Sequence, residues 1–199
     1  MAEKHQPPGR LIEGPGGYHA FVPAPLPPSI AWDPELVSAL SRADRAVGRL
    51  AGEGRPVSNP HLFIRAFLHR EAVLSSRIEG TQATLGQLLA ARAGAKVDGD
   101  AADLQEVANY VVALEYGIGR LYTLPLSLRL VRELHERLMR GVRGDTAALG
   151  EFRRTQNWIG PPGSALEDAR YVPPPPRELM ACLGKWEEFL HDHTHLPFA

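Results

Sequence analysis

Cysteine is almost absent from this chain of 199 residues, because Cys182 is the single example. One cysteine excludes a disulfide within the chain and fits a reducing compartment. An excess of charge of one sign is also missing: 22 Lys and Arg residues face 23 Asp and Glu residues, for a formal net charge of -1. This balance argues against a surface built to hold a polyanion, so nucleic acid is not an expected partner.

Long apolar runs are missing as well. No stretch approaches the roughly 20 apolar residues that cross a membrane, and the first eight residues hold no apolar core of a secretory signal. We therefore expect no membrane partner and a cytoplasmic location. With 44% apolar residues, the composition is that of a globular protein able to bury a sizeable core.

Proline and glycine are concentrated in residues 1–30, which we predict to form an extended arm. Proline restricts its own φ and pushes the residue before it towards extended conformations. Phe21, Val22 and Leu26 offer apolar anchors, which favours a strap lying over the domain surface. A polyproline ligand for another protein is the alternative.

Helical periodicity dominates the rest of the chain. Asp33 followed by proline predicts the start of a first helix, and apolar residues then recur every three or four positions. A second helix is expected to stop at Gly80, and Thr84 to cap a short third helix. Ser127 is a candidate cap for a later helix, and a last helix is predicted over about 177–191.

The helical periodicity breaks between residues 144 and 176. Two short extended pieces, 151–160 and 170–172, flank a Gly-Pro-Pro-Gly loop at 160–163, which predicts a loose β-hairpin. The predicted fold class is therefore all-α, a helical bundle with one small β-hairpin.

Five parts of the sequence carry recognisable motifs, at 20–28, 71–84, 106–110, 150–153 with 156–160, and 171–176. The second part contains Ser75, three intervening residues and the pair Glu79-Gly80. In order and spacing the five parts resemble the Fic family over nearly the whole chain, and the serine pattern resembles that of the family's inhibitory helix. On these residues the chain is identified as a member of the Fic family, with a Fic N-terminal region ahead of the Fic core.

The resemblance implies a division of the chain into three regions. The arm at 1–30 precedes a Fic N-terminal helical region at 31–100 that bears the inhibitory helix. A partial Fic core at 101–199 includes the family's flap as the hairpin at 151–173. The implied fold is a Fic-like helical bundle with this one small β-hairpin, in which the C-terminal part of the core is missing.

The resemblance also implies the family's chemistry, the transfer of AMP from ATP to a hydroxyl side chain of a target protein with Mg²⁺ bound. The general base, the metal-binding carboxylate and the phosphate-binding groups belong to one signature, His-Pro-Phe-x-Asp/Glu-Gly-Asn-Gly-Arg-x-x-Arg. These 199 residues do not contain it, and we expect the chain to stop before it. We therefore expect no catalytic residue and no metal ligand, weak binding of ATP and Mg²⁺, and no AMP transfer by this chain alone.

Glu79 is the inhibitory glutamate by its position in the motif. In the family this glutamate pairs with the second arginine of the signature and displaces the γ-phosphate of ATP, since carboxylate and phosphate both accept a bidentate guanidinium pair. Ser75 lies one turn earlier on the same helix face, and Gly80 lets the backbone leave the helix. Glu79, Ser75 and Gly80 are the predicted inhibitory residues at the nucleotide site. Without the signature arginine, Glu79 has no partner of this kind in the chain.

Tyr171, Val172 and Pro173 are the predicted target-binding residues of the flap. In the family the flap adds its edge to a strand of the target protein. The alternative is a structural hairpin that packs Trp158 and Tyr171.

Two other features suggest chemistry without supporting it. Cys182 lies among apolar residues of a helical stretch, which favours a packed thiol over a nucleophile. His191, Asp192, His193 and His195 lie close together near the end of the sequence. The alternation of the histidines would suit a strand, whereas these residues come after a predicted helix, so a solvated terminus is favoured over a metal site.

Three functional hypotheses follow. The leading one is the N-terminal portion of a self-inhibited Fic protein AMP-transferase. The second is a non-enzymatic binding module that presents its inhibitory helix to a separate Fic core and inhibits it in trans. The third is a decayed or frameshifted gene product. The expected partners are the target protein or a separate Fic core, and a homo-oligomer is possible because apolar helix faces are expected to lie uncovered.

Overall fold

The computed structural model describes residues 7–55, 60–78, 80–142 and 148–192. Over these residues the chain forms six α-helices and one two-stranded antiparallel sheet, which confirms the predicted helical fold class. The elements are β1 (Gly9–Glu13), β2 (His19–Pro23), α1 (Pro34–Gly54), α2 (Pro60–Ile78), α3 (Leu85–Arg92), α4 (Ala101–Arg120), α5 (Leu128–Leu138) and α6 (Pro176–His191). None of the helices in this part of the chain has the length and apolar character needed to cross a membrane.

Helices α1 and α3 begin where local capping chemistry predicts. The Asp33 carboxylate accepts the amide of Leu36 at 2.7 Å, and proline occupies the first position of α1. Thr84 and Gln87 form a reciprocal capping box at the start of α3. Each cap satisfies an amide that has no carbonyl partner in the first turn, so a few adjacent residues are enough to place the helix start.

The chain divides into two compact units, which are described separately below. The first unit contains residues 1–31, 126–129 and 152–199, and the second contains 32–125 and 130–151. These units are defined by contacts, whereas the regions predicted at 1–30, 31–100 and 101–199 come from a resemblance and stay a prediction.

The hairpin of the first unit lies in the segment predicted to be an extended arm. β1 and β2 pair in antiparallel register, with Arg10 opposite Val22 and Ile12 opposite Ala20. The connection turns at Gly16 and Gly17, whose φ angles of 90° and 84° suit residues without a Cβ. Residues 9–23 of the predicted arm therefore form a hairpin of their own.

The hairpin expected at 151–173 is reduced to one antiparallel bridge between Ile159 and Tyr171. Prolines at 161–162 and 173–176 flank this bridge, and a proline has no N–H to donate to a β-ladder. The extended pieces meet where both partners have donors, and the ladder ends there. The two predicted extended pieces thus meet in antiparallel fashion, but at one bridge and not along a ladder.

The core of the second unit lies where α2 and α4 pack together with α3 against both. Its buried side chains are Ala72, Val73, Ala83, Leu88, Val107 and Val111. By contrast, no residue of α1 is buried, and Val47 and Leu50 are 67% and 72% exposed. The apolar stripe that predicted α1 is thus uncovered in this chain.

Candidate inhibitory site and flap

Helix α2 carries the serine of the inhibitory pattern and ends one residue before Glu79, which lies outside the described residues. Gly80 has a φ of 97°, in the left-handed region that glycine adopts without steric cost. The amide of Gly80 donates to the carbonyl of Arg77, and the amide of Thr81 donates to the carbonyl of Ser76, both at 3.1 Å. These two bonds are the usual way in which a glycine ends a helix and satisfies its last carbonyls.

Ser75 is directed towards the preceding turn of α2. Its hydroxyl donates to the Glu71 carboxylate at 2.6 Å. The hydroxyl proton is used in this bond, while the oxygen lone pairs keep their capacity to accept. The predicted help of Ser75 in placing the Glu79 carboxylate stays a prediction.

Two carboxylates of α4 hold the turn that follows α2. The Thr81 hydroxyl donates to Glu106 Oε2 at 3.0 Å, and the Gln82 amide donates to Asp103 Oδ2 at 2.7 Å. Thr81 and Asp103 are only 3% and 6% exposed. Analysis of the sequence missed both contacts, although Glu106 opens one of the segments that resemble the family.

An open cleft of about 540 Å³ lies beside the end of α2. It is lined by Ser75, Ser76, Thr81, Glu106, Tyr110, Leu138, Met139 and Val142. The lining combines three apolar side chains with three aliphatic hydroxyls from α2 and the turn after it, one phenol and one carboxylate. Hydroxyl and carboxylate oxygens are hydrogen-bond acceptors, so the cleft favours a donor such as a guanidinium group.

The described lining of this cleft does not fit the nucleotide and metal that the family implies. A triphosphate needs cationic side chains or convergent amides, whereas the lining residues include one carboxylate and no Lys or Arg. Within the described ranges, no three His, Cys, Asp or Glu side chains converge into a metal site. We therefore derive no step through ATP or Mg²⁺ from these residues.

The predicted flap residues lie in the first unit, where their backbone groups bond to their own chain. Tyr171 exchanges backbone hydrogen bonds of 2.8 and 3.1 Å with Ile159, and the Val172 carbonyl accepts the Phe21 amide at 2.8 Å. The Pro173 carbonyl accepts the Gln156 side-chain amide at 3.1 Å. The role of Tyr171, Val172 and Pro173 in binding a target stays a prediction.

The side chains of the predicted flap differ sharply in exposure. Val172 is buried with Tyr18 and Ala20 of the N-terminal hairpin, while Tyr171 is 42% exposed and its ring lies 6.4 Å from that of Phe21. Trp158 and Ile159 are also exposed. Residues 158–172 thus expose apolar side chains to solvent, while Val172 packs against β2.

Cys182 and His191 are the described members of the two other features that the sequence singled out. Burial raises the pKa of the Cys182 thiol, and the nearby Glu178 carboxylate raises it further, so the thiol is protonated at neutral pH. His191 is exposed at the end of α6, and His193 and His195 lie outside the described residues.

Comparison with known proteins agrees with this architecture. The family profile described as Fic/DOC family N-terminal matches residues 37–119. The fold is similar to the crystal structure of a Fic family protein from Desulfovibrio desulfuricans G20, with a TM-score of 0.64 and 20% sequence identity. The match covers 86% of this chain and 49% of that one, so the chain spans about half the length of that protein. No curated protein sequence matches the chain.

Proposed function

Because this chain belongs to the Fic family, we propose that it is the inhibitory and target-binding part of a protein AMP-transferase that restrains itself. The observation that carries this proposal is the position of the helix with the Ser-x-x-x-Glu-Gly pattern. That helix, α2, ends beside an open cleft whose described lining accepts hydrogen bonds and contains no cation. Such a cleft suits an arginine supplied by another segment or chain.

The reaction proposed for the whole protein is the transfer of AMP from ATP to a hydroxyl side chain of a target protein, assisted by Mg²⁺. In this proposal Glu79 engages an arginine of the signature and denies that arginine to the γ-phosphate of ATP. The 199 residues contain no copy of the signature. We therefore expect them to transfer no AMP by themselves. ATP as the substrate and a single cysteine both suit a cytoplasmic location.

The second candidate is inhibition in trans, in which this chain binds a separate Fic core and supplies α2 to it. The same cleft favours it, because a lining with acceptors and apolar side chains can receive an arginine-bearing segment of another polypeptide. In this case the partner is the Fic core itself, and the target protein is bound afterwards by the combined assembly.

The experiment has two arms. In the first, the purified chain is incubated with ATP, Mg²⁺ and candidate target proteins, and AMP-labelled protein is measured; labelling by the chain alone would contradict the proposal. In the second, the chain is added to a separately produced Fic core that carries the signature and lacks its own inhibitory helix. We expect AMP transfer by that core to fall.

Two variants define the second arm. Glu79→Gln should lose the inhibition, because a neutral amide forms a weaker pair with guanidinium than a carboxylate does. Glu53→Gln makes the same chemical change on the exposed helix α1, where Glu53 pairs only with Arg49 among the described ion pairs, and should inhibit like the wild type. Equal inhibition by all three chains would rule out Glu79 as the inhibitory residue.

A further inference from the structure

We propose that Asp103 and Glu106 are positioning residues for the end of the inhibitory helix. Their carboxylates hold the turn after α2 against α4. In this way they set the position at which the end of α2 meets the arginine of the Fic signature. This inference rests on the inhibitory role proposed above for α2, and it concerns residues that the inhibitory pattern does not contain.

The two contacts come from one face of α4. Asp103 and Glu106 are three residues apart, a spacing that places both side chains on the same side of a helix. Asp103 accepts the Gln82 amide at 2.7 Å, and Glu106 accepts the Thr81 hydroxyl at 3.0 Å. The bonds join residues 21 and 25 positions apart, so they are tertiary contacts between α4 and the turn.

The turn needs such contacts because it begins at a glycine. Gly80 lacks the Cβ that would restrict its backbone, and its φ of 97° closes α2 without fixing the direction of the chain beyond it. The next anchor along the chain is the capping box of Thr84 at the start of α3. Between these two points, Asp103 and Glu106 accept hydrogen bonds from Gln82 and Thr81, the two residues that directly follow Gly80.

The location of Asp103 strengthens its hold. Asp103 lies in the first turn of α4, where the amide ends of the helix favour a negative charge. It is 6% exposed, and a hydrogen bond to a carboxylate is stronger than one between neutral groups. A carboxylate that pairs with guanidinium in bidentate geometry tolerates little displacement. Loss of the hold on the turn should therefore weaken inhibition.

The first readout is hydrogen exchange of the Gln82 amide in the purified full chain, followed by NMR. Asp103→Ala and Thr81→Val should each speed this exchange about tenfold or more, as expected for the loss of a hydrogen bond to a charged group. Asp98→Ala, which removes an exposed carboxylate from the loop before α4, is the matched control and should exchange like the wild type. Wild-type exchange in both Asp103→Ala and Thr81→Val would overturn the proposal.

The second readout is inhibition of the separate Fic core. Asp103→Ala and Thr81→Val should raise the concentration for half-inhibition about tenfold or more, while Thr81→Ser, which keeps the hydroxyl, should restore the wild-type value. A variant with faster Gln82 exchange and unchanged inhibition would overturn the positioning role. Should Asp103→Ala fail to fold, Asp103→Asn keeps an acceptor oxygen and should show a smaller change in the same direction.

The failure of this inference and that of the proposed function are distinguishable. If the wild-type chain does not inhibit the core, the inhibitory role fails, and the positioning role fails with it. Gln82 exchange still decides whether the two carboxylates hold the turn. If the wild-type chain inhibits and the variants do so equally well, only the inference made here is wrong.

Discussion

The side-chain amide of Asn109 on α4 donates to the main-chain carbonyl of Leu138, the last residue of α5, at 3.0 Å. The same nitrogen donates to the carbonyl of Arg140 at 2.7 Å. The last carbonyls of a helix have no partner within it, and a side chain from another helix satisfies them here. Asn109 is 8% exposed, so these bonds are sheltered from water and tie α4 to the end of α5.

Removing this amide should destabilise the chain. We expect Asn109→Ala to lower the free energy of unfolding by about 2 kcal/mol, because two carbonyls lose a sheltered donor. Asn109→Asp should lower it further, since its carboxylate would face the same two carbonyl oxygens. Urea denaturation measures both changes. Val112→Ala, at a 52% exposed position of α4, should cost less than about 1 kcal/mol. An equal cost for all three variants would contradict this account.

Leu88 and Leu89 form a matched pair on α3 with opposite environments. Leu88 is 1% exposed in the core of the second unit, whereas Leu89 is 46% exposed. Leu88→Ala should lower the free energy of unfolding by about 2–5 kcal/mol, because it removes buried methyl groups and leaves a cavity. Leu89→Ala should cost less than about 1 kcal/mol. Thermal unfolding followed by circular dichroism compares them, and similar losses would show that α3 packs by a different face.

His69 should titrate below the usual range of histidine. Burial lowers the pKa of His69 from 6.5, Arg92 and Arg65 lower it further, and Glu115 opposes them. The Arg92 guanidinium lies 3.0 Å from Nε2, a contact that suits a neutral ring accepting a hydrogen bond. NMR titration of the ring protons should show that Arg92→Ala raises the pKa of His69 and Glu115→Gln lowers it. If both substitutions moved the pKa of His69 in the same direction, the opposing effects assigned to Arg92 and Glu115 would be wrong.

The same pKa shift sets the sign of a pH effect on stability. As the pH falls through 6.5, the unfolded chain binds a proton at His69 before the folded chain does. The contribution of His69 to stability is therefore complete above pH 6.5 and is lost as the pH falls through the lower pKa of the folded state. The free energy of unfolding should depend less on pH between 7 and 5 in His69→Gln than in the wild type.

Gly9 and Gly48 should respond oppositely to the same substitution. A Cβ at Gly9 would lie 2.4 Å from the Val22 carbonyl oxygen and 2.5 Å from the Phe21 ring, so Gly9→Ala should destabilise the N-terminal hairpin by about 1–3 kcal/mol. A Cβ at Gly48 in α1 meets nothing within 4 Å among the described residues. Gly48→Ala should therefore stabilise the chain by up to about 1 kcal/mol, as alanine loses less entropy in a helix. Melting curves of both variants test the contrast.

The sequence predicts some elements of this fold well and others poorly. The starts of α1 and α3 could be predicted because Asp33 and Thr84 cap amides only a few residues away. The hairpin of β1 and β2 was missed because proline-rich composition suggested a strap, although Gly16 and Gly17 marked the turn. At 151–173 two short extended pieces around a Gly-Pro-Pro-Gly loop predicted a loose hairpin, and between the flanking prolines these pieces form one bridge.

In the candidate site, too, some features could be predicted from the sequence and others could not. The order of residues alone predicted that α2 ends at Gly80, since a helix-ending glycine acts on carbonyls of the turn just before it. It did not reveal that Thr81 and Gln82 would bond to Glu106 and Asp103, because nothing in the local sequence specifies a partner 21 or 25 residues away. Only the packing of α2 against α4 decided these partners. It brought the polar groups of the turn and of α4 close together, and polar groups removed from water require hydrogen-bond partners.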